Sequence, residues 1–380
     1  MDTTQRILII EVDPGTCSTL ADALRTRGRH VIACRDVESA HMAIERYPFT
    51  HVLTDITFTR PFRFEGLELI DRIKQAALTT SVIVVTNAED DLRREAFNRG
   101  ADVVLQKPFS GTQIRELVEC PGDTSTSAVV TFVPTLDDIL SGDLLRTKFQ
   151  PMVWTEDPKY AVGFEALTRL QTDSLFADPD LLFRYAQRKG RVVDLEMAAA
   201  ASSIKWGSEL SRVGILSLNI HPEVFAHADR FSDVIMDSAA DAEVSPHRLV
   251  LEITEQGPLP DLGSVEAVSA VMRRHGIKFA FDDVGIAYSH LRAIAAVRPS
   301  YLKISQHFGT AVESNPFNRK IVENVEALAR SFASEVVLEG IETERTDEFA
   351  RETGITFGQG YYYGRPADAA VLLERYRSHV

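Results

Sequence analysis

Short apolar runs alternate with amphipathic stretches along almost the whole chain. In the first third the runs at 6–12, 30–34, 51–54, 81–86 and 102–105 are candidate strands. The stretches 18–27, 37–46, 66–77 and 90–99 between them carry the helical period. That alternation predicts a parallel sheet covered by helices on both faces. From about residue 141 the rhythm resumes seven or eight times, with strand candidates at 148–154, 161–167, 214–220, 248–254, 278–282, 301–304, 335–339 and 355–359. Helical stretches at 179–189, 195–209, 265–275 and 318–331 fill the gaps. About 240 residues with this rhythm suit a (β/α)8 barrel. Between the two halves, Cys120-Pro-Gly-Asp-Thr-Ser-Thr-Ser127 has no period and marks a boundary, and 136–145 could open the second half with a short helix. The expected division is 1–120, a linker at 121–140, and 141–380. The first five strands suit a flavodoxin-like doubly wound order, whose site lies at the C-terminal strand edge.

Composition narrows the function classes. The 380 residues carry 44% hydrophobic and 25% charged residues and a net charge of −14. An acidic chain is not a general binder of nucleic acid or anionic membrane, because both demand a basic face. An anionic substrate therefore needs a metal or a few placed cations. Three cysteines, Cys17, Cys34 and Cys120, stand apart with no CxxC and form neither a disulfide framework nor a zinc site. The apolar run 7–10 is too short for a signal peptide, and no run approaches the roughly 20 apolar residues of a membrane span. These features point to a cytoplasmic protein.

In the first half, Glu11 ends the first strand, Asp55 the third and Thr86 the fourth, and Lys107 follows the fifth. A carboxylate, a hydroxyl and an ammonium on one edge could make a phosphorylation site, with Asp55 as nucleophile and Lys107 neutralising the phosphoryl oxygens. Asp55 or Thr86 taken alone would read as a strand-end turn residue. Together they resemble a response-regulator receiver domain. The resemblance implies that Asp55 is the phosphoacceptor, with Glu11, Thr86 and Lys107 completing the pocket and a sensor histidine kinase or another phosphodonor as partner. Three features depart from that pattern, one being the loop after Asp55, Ile56-Thr-Phe-Thr-Arg-Pro-Phe-Arg-Phe-Glu65, which is longer and more aromatic than usual. The usual acidic pair at the end of the first strand reads Glu11-Val12, with Asp13 one place further on, and valine cannot ligate a metal. The switch aromatic is replaced by Val104. A constitutive dimerisation or docking role stands beside phosphorylation.

In the second half the strand ends are polar. Glu165, Asn219, Glu252, Asp282, Asp283 and Glu339 are oxygen donors expected at one barrel rim, where active-site groups gather in this fold. A single such residue would be a rim salt-bridge partner. Several at equivalent strand ends suit hard cations, Mg2+ or Mn2+. Two such ions form the usual clamp for in-line phosphoryl displacement. Lys303 lies one strand beyond the aspartates, while Gln150, Arg169 and Gln359 could contact phosphate and base edges.

The run Gly163-Phe-Glu-Ala-Leu-Thr-Arg169 resembles the signature of the EAL family, metal-dependent phosphodiesterases that open cyclic di-GMP to linear pGpG. Phe149-Gln-Pro151, Leu218-Asn219, Glu252-Ile-Thr-Glu255, Asp282-Asp283, Leu302-Lys-Ile304, Glu339-Gly-Ile-Glu342 and Gly358-Gln-Gly-Tyr361 follow in family order. The resemblance implies a TIM-barrel-like domain in which Glu165, Asn219, Glu252, Asp282, Asp283 and Glu339 bind one or two Mg2+ or Mn2+ ions. It gives Lys303, Glu255 and Gln359 catalytic roles, Glu255 by bracing the loop after the aspartates. It makes Gln150, Leu167 and Arg169 the substrate contacts, and implies a homodimer regulated by the receiver. The loop after the aspartates departs from the family, reading Val284-Gly-Ile-Ala where Phe-Gly-Thr-Gly is usual. Ser300 and Ser305 replace two aspartates around Leu302-Lys-Ile304. Those departures leave a second reading open, a weak or inactive domain that binds cyclic di-GMP as a receptor or serves as a scaffold.

Overall fold

A computed structural model describes residues 5–26, 28–56, 65–118, 128–254, 262–285 and 290–376. In chain order its elements begin with β1 (Gln5–Ile10), α1 (Pro14–Leu24), β2 (Arg29–Cys34), α2 (Val37–Arg46), β3 (His51–Thr54) and α3 (Glu65–Ala76). Next come β4 (Ser81–Thr86), α4 (Asp90–Asn98), β5 (Val103–Gln106), α5 (Gly111–Leu117), β6 (Val129–Phe132) and α6 (Leu136–Ser141). Then follow β7 (Leu145–Trp154), β8 (Ala161–Leu170), α7 (Pro179–Arg188), α8 (Val192–Gly207), β9 (Ile215–Ile220) and α9 (Ala228–Asp241). The remainder is β10 (Leu249–Ile253), α10 (Leu262–Arg274), β11 (Lys278–Val284), α11 (His290–Val297), β12 (Tyr301–Ile304), α12 (Gln306–Gly309), α13 (Pro316–Ser331), β13 (Glu335–Leu338), α14 (Glu344–Thr353), β14 (Phe357–Gln359) and α15 (Ala369–Tyr376). The chain divides into two compact units, one of residues 1–144 with 170–191, the other of residues 145–169 with 192–380. No described helix is long and apolar enough to cross a membrane.

The first unit has the expected doubly wound sheet, in the order β5-β4-β3-β1-β2-β6 with parallel pairing throughout. Its core is the buried side chains of β1, β2, β3 and β4 packed against α1 and α5. Local chemistry sets the helix starts. Asp13 accepts the Thr16 N–H ahead of Pro14, and Asp36 caps α2 through the Ser39 N–H. Ser110 with Gln113 forms a capping box at α5. The sixth strand, β6, was not expected. Val129-Val-Thr-Phe132 lies within the stretch read as linker, yet it pairs with β2 from His30↔Val129 to Ala33↔Phe132. Four β-branched or aromatic residues take their register from the open edge of β2, a tertiary partner that local pattern cannot supply.

The second unit is a closed eight-stranded barrel, β10-β11-β12-β13-β14-β7-β8-β9, and every strand expected from the sequence is present. It departs from an all-parallel (β/α)8 barrel at one strand. β7 runs antiparallel to β14, pairing Phe357↔Trp154 and Gln359↔Met152. The reason lies in the connection to β8, residues 155–160, which is too short for a parallel crossover of a dozen or more residues. Its turn is closed by the Trp154 N–H to Tyr160 O bond. Reversal carries the N-terminal half of β7 past Gln359, so Gln150 stands at the C-terminal rim of its neighbours.

Helix α8 buries one carboxyl without a cation. Glu196 is buried and accepts the His221 N–H at 3.0 Å, just beyond the end of β9. Burial outweighs that bond and pushes its pKa up to about 8 from the usual 4.5. Between those values the folded state keeps a proton that the unfolded chain has released. The contribution to stability is therefore fully present below pH about 4.5 and is lost as pH rises toward about 8, at up to about 1.4 kcal/mol per pH unit. Glu196→Gln keeps an acceptor for His221 and should flatten this slope in denaturation curves taken across that range. Equal slopes for the two proteins would remove Glu196 as the source.

Candidate functional site: an ion cluster at the barrel rim

Strand geometry builds the site. Along β8, Glu165, Leu167 and Arg169 alternate with outward residues and so share one face. Ser217 and Asn219 do the same on β9, and Glu252, Asp282, Lys303 and Gln359 stand near the ends of β10, β11, β12 and β14. Glu339 follows β13 and extends its ladder by donating its N–H to Ile304 O. Two residues earlier on these strands lie Ile215, Val250, Ala280, Tyr301, Val337 and Phe357. With Met152 they line the small cavity beneath the polar layer. The cluster thus rests on an apolar floor that keeps bulk water from one side of it.

Lys303 is the centre. Its side chain is 1% exposed, and its Nζ lies 3.0 Å from Glu165, 2.8 Å from Glu252, 2.8 Å from Glu339 and 3.4 Å from Asp282. Burial alone would drive an ammonium toward neutrality, but these four carboxylates hold its pKa well above the usual lysine value. Asn219 donates to Glu165 Oε1 at 2.8 Å and Gln359 donates to Glu165 Oε2 at 2.6 Å. Burial raises Glu165, yet Lys303 and these two amides reverse it and leave the group below its normal range. For the other three, burial wins. Glu252 is pushed up to about 8, Glu339 well above the carboxylate range, and Asp282 upward. One cation does not balance four carboxylates.

The paired aspartates need a distortion. In a regular strand, neighbours point to opposite faces, so Asp282 and Asp283 could not both serve one rim. The β11–β12 register shifts between Phe281 and Val284, and Asp283 adopts a left-handed φ of 52°. The Asp283 N–H donates to Asp282 Oδ1 at 3.0 Å. Glu339 is set from behind by Gly309 in α12, where a Cβ would come within 1.7 Å of the Glu339 carbonyl oxygen. Any side chain at Gly309 would push that strand end away.

The expected residues mostly come together. Glu165, Asn219, Glu252, Asp282, Lys303, Glu339 and Gln359 form one bonded network, with Asp283 beside it. Gln150 donates to the Gly364 carbonyl at 3.3 Å, and Arg169 Nη1 to the Thr168 carbonyl at 2.8 Å. Leu167 is half-buried between Glu165 and Arg169 on their strand face. Glu255 lies outside the described residues. Ser217 was missed. It donates its hydroxyl to Glu252 Oε1, and its position two residues before Asn219 on the same strand face was the available signal.

The donor chemistry fits a hard divalent cation. It is all oxygen, it carries more negative than positive charge, and the buried Oε1 of Gln359 has no protein partner. Among the described residues no group of three or more Asp, Glu, His or Cys side chains stands in metal-holding geometry, since the carboxylates are turned onto Lys303.

In the first unit, Lys107 Nζ reaches Asp55 Oδ2 at 2.8 Å and Glu11 Oε2 at 2.5 Å. Burial opposes its charge, but bonds to Asp55 and Glu11 raise its pKa. The Ile56 N–H donates to Asp55 Oδ1 at 2.6 Å, and Gly66 allows α3 to approach closely, a Cβ there meeting Asp55 O at 2.1 Å. Thr86 is buried at the end of β4, with its hydroxyl accepting the Ala88 N–H. Asp13 caps α1, and Val12 is exposed.

Comparisons agree with the two-unit reading. Residues 135–366 match the EAL domain model and residues 7–119 the response regulator receiver domain model. The chain is similar to the probable cyclic di-GMP phosphodiesterase PdeB of Escherichia coli, 28% identical over 250 residues, 64% of this chain and 47% of that protein. It thus spans about half of PdeB's length. It is also similar to the cyclic di-GMP phosphodiesterase RocR of Pseudomonas aeruginosa, 24% identical over 332 residues, 82% of this chain and 84% of RocR. Among solved structures, the cyclic di-GMP complex of the PaMucR phosphodiesterase matches with a TM-score of 0.57 and 26% identity, covering 63% of this chain and 98% of that one.

Lys303→Met leaves the four carboxylates without their cation. Breaking a buried ion cluster from one side should cost about 3–5 kcal/mol of stability, read by urea denaturation. The carboxylates already above their normal range should then hold protons more tightly in the folded state than in the unfolded one. The loss should therefore be larger at pH 8 than at pH 6. A variant as stable as the parent at both pH values would show that Lys303 does not hold the cluster.

Proposed function

This chain belongs to the EAL domain family and carries a response regulator receiver domain, and from that premise we propose that it hydrolyses cyclic di-GMP to linear pGpG under control of the receiver. The observation that carries this reading is the oxygen-rich cluster around Lys303 at the barrel rim, with its excess of negative charge. Glu165, Asn219, Glu252, Asp282, Asp283 and Glu339 would hold one or two Mg2+ or Mn2+ ions. Such ions, when bound, neutralise charge on the phosphoryl oxygens during in-line displacement.

The chain's own residues do the rest. Gln359 Oε1, an unpartnered acceptor, takes an O–H from the attacking water and turns its lone pair toward phosphorus. The Lys303 ammonium, fixed by its ion pairs, stabilises the charge that develops. Arg169 and Gln150 bind phosphate and base edges from β8 and the reversed β7, and Leu167 packs near a guanine. Glu255 braces the loop after the aspartates. The water oxygen bonds to phosphorus, the bond to the 3′-oxygen breaks, and the released 3′-oxygen ends protonated. In the receiver, Asp55 accepts a phosphoryl group from a histidine kinase or another phosphodonor, with Lys107 pairing the added charge and Glu11 and Thr86 flanking it. A homodimer is part of this reading.

Incubating the full chain with cyclic di-GMP and Mg2+ or Mn2+ should yield pGpG on chromatography. A chelator should abolish the yield, and Glu165→Ala should lower it by more than about 100-fold. Product no greater than in the Glu165→Ala control rejects the hydrolase, and calorimetric binding without turnover assigns a receptor instead. That receptor is the second reading, and the altered residues after Asp283 together with Ser300 and Ser305 favour it.

Acetyl phosphate should label the parent protein and leave Asp55→Ala unlabelled in an intact-mass measurement. Equal labelling of the variant would remove Asp55 as the acceptor.

A further inference from the structure

Residues Leu170–Arg191 belong to the first compact unit, although the chain on both sides of them belongs to the second. The helix of this excursion, α7, lies against α2. Its face is basic where α2 is acidic. Arg188 Nη2 lies 2.9 and 3.1 Å from the two carboxylate oxygens of Glu45, and Arg184 lies 3.6 Å from the same group. Lys189 lies 2.9 Å from Glu38 and 3.7 Å from Asp36. Arg184 and Arg188 are four apart, so they share one helix face. At the centre is Tyr185, fully buried, its ring stacked on Phe176 with centroids 4.5 Å apart. Its hydroxyl donates to Asp36 and accepts the Leu136 N–H at 3.1 Å. Asp36 at the same time caps α2 through Ser39. Isolated surface ion pairs are weak, but a network built on a buried, doubly bonded tyrosine fixes register and orientation.

The position of this excursion gives it a consequence. It leaves directly from β8, whose rim residues are Glu165, Leu167 and Arg169. On the other side, α2 packs against α3 as well as α7, and Gly66 of α3 closes on the Asp55 backbone. A packed route therefore runs from Asp55 through α3 and α2 to α7, and continues covalently into β8.

We propose that Leu170–Arg191 is the output element of the receiver, an internal docking segment whose seat on α2 sets the position of β8. This rests on the functional reading above only for the identity of what β8 contacts. Glu45 and Arg188, with side chains 49% and 33% exposed, are open enough to reverse without loss of folding. Spatial continuity alone does not establish coupling, so the decisive measurement is a charge-swap cycle.

Hydrogen exchange on the full chain without nucleotide, comparing the parent with Glu45→Arg, Arg188→Glu and the double swap, tests it. Each single reversal should speed exchange in 171–191 by about fivefold, and in 161–169 as well. The double swap should restore both. Glu45→Gln, a milder change, should fall between the parent and Glu45→Arg. Acetyl phosphate should alter exchange in 171–191 in the parent and leave Asp55→Ala unchanged. Single reversals that leave 171–191 unmoved, that move 171–191 without 161–169, or that the double swap does not restore, each overturn the proposal. Because no nucleotide is present, these outcomes are independent of whether cyclic di-GMP is turned over. If the parent hydrolyses it and KM ignores the swap, the output role falls while the hydrolase reading stands.

Discussion

A single buried ammonium organises the mouth of the barrel. Lys303 is enclosed by Glu165, Glu252, Asp282 and Glu339, and none of these five charges could be buried there alone. The cost of taking so many ions from water is met only when each finds close partners, and the barrel supplies them from different strands. That demand fixes local details far from obvious in a strand pattern. The register slip at Asp282 and Asp283, the close approach of Gly309 to the Glu339 carbonyl and the Ser217 hydroxyl on Glu252 all serve it. The apolar floor beneath serves it too, because the same charges in water would attract one another only weakly.

The receiver site is a smaller version of the same arrangement, and the contrast is informative. There one lysine, Lys107, faces two carboxylates, Glu11 and Asp55, and the charge is nearly matched. At the barrel rim one lysine faces four, and three of those four are driven upward in pKa by burial. The first site has one carboxylate more than it has ammonium groups, with Val12 exposed and Asp13 engaged as a helix cap. The second has room for positive charge and little for more negative charge. Both sites therefore hold more carboxyl than ammonium groups, the barrel rim by the larger margin.

Much of this was legible in the residues. Apolar runs carrying Glu, Asn, Asp or Lys at or near their ends marked six of the eight barrel strands, and their polar ends did converge, because β-strand alternation maps sequence spacing directly onto one face. What was not legible depended on partners remote in sequence. β6 exists because β2 has an open edge, and Val129–Phe132 alone is too short to announce itself. The left-handed Asp283 arises from the mismatch between two adjacent aspartates and one rim. Ser217 reads as a small strand residue until Glu252 is placed beside it. The assignment of α7 to the first unit could not be seen at all, since its apolar period is that of any barrel helix and only its charges, matched against α2, distinguish it. The reversal of β7 is legible in the length of its connection, because residues 155–160 cannot span a crossover, while strand spacing alone does not show it.

The two serines that replace family aspartates around Leu302-Lys-Ile304 take on structural work. Ser305 is buried and its hydroxyl accepts the His307 N–H, so it starts α12. That short helix carries Gly309, which meets the Glu339 backbone. Position 305 thus still governs where Glu339 stands, through a helix cap in place of a carboxylate. Ser300 acts through its backbone, donating to Phe279 O and accepting from Glu335 N, and so keeps β12 in register with both neighbours. Val284 is buried and pairs with Ile304 at the resumed register beyond the slip. The departures near Lys303 are therefore absorbed by packing and capping, and the ion cluster stays assembled without the lost carboxylates. Adding them back would place further negative charge around a cluster in which one ammonium already faces four acids.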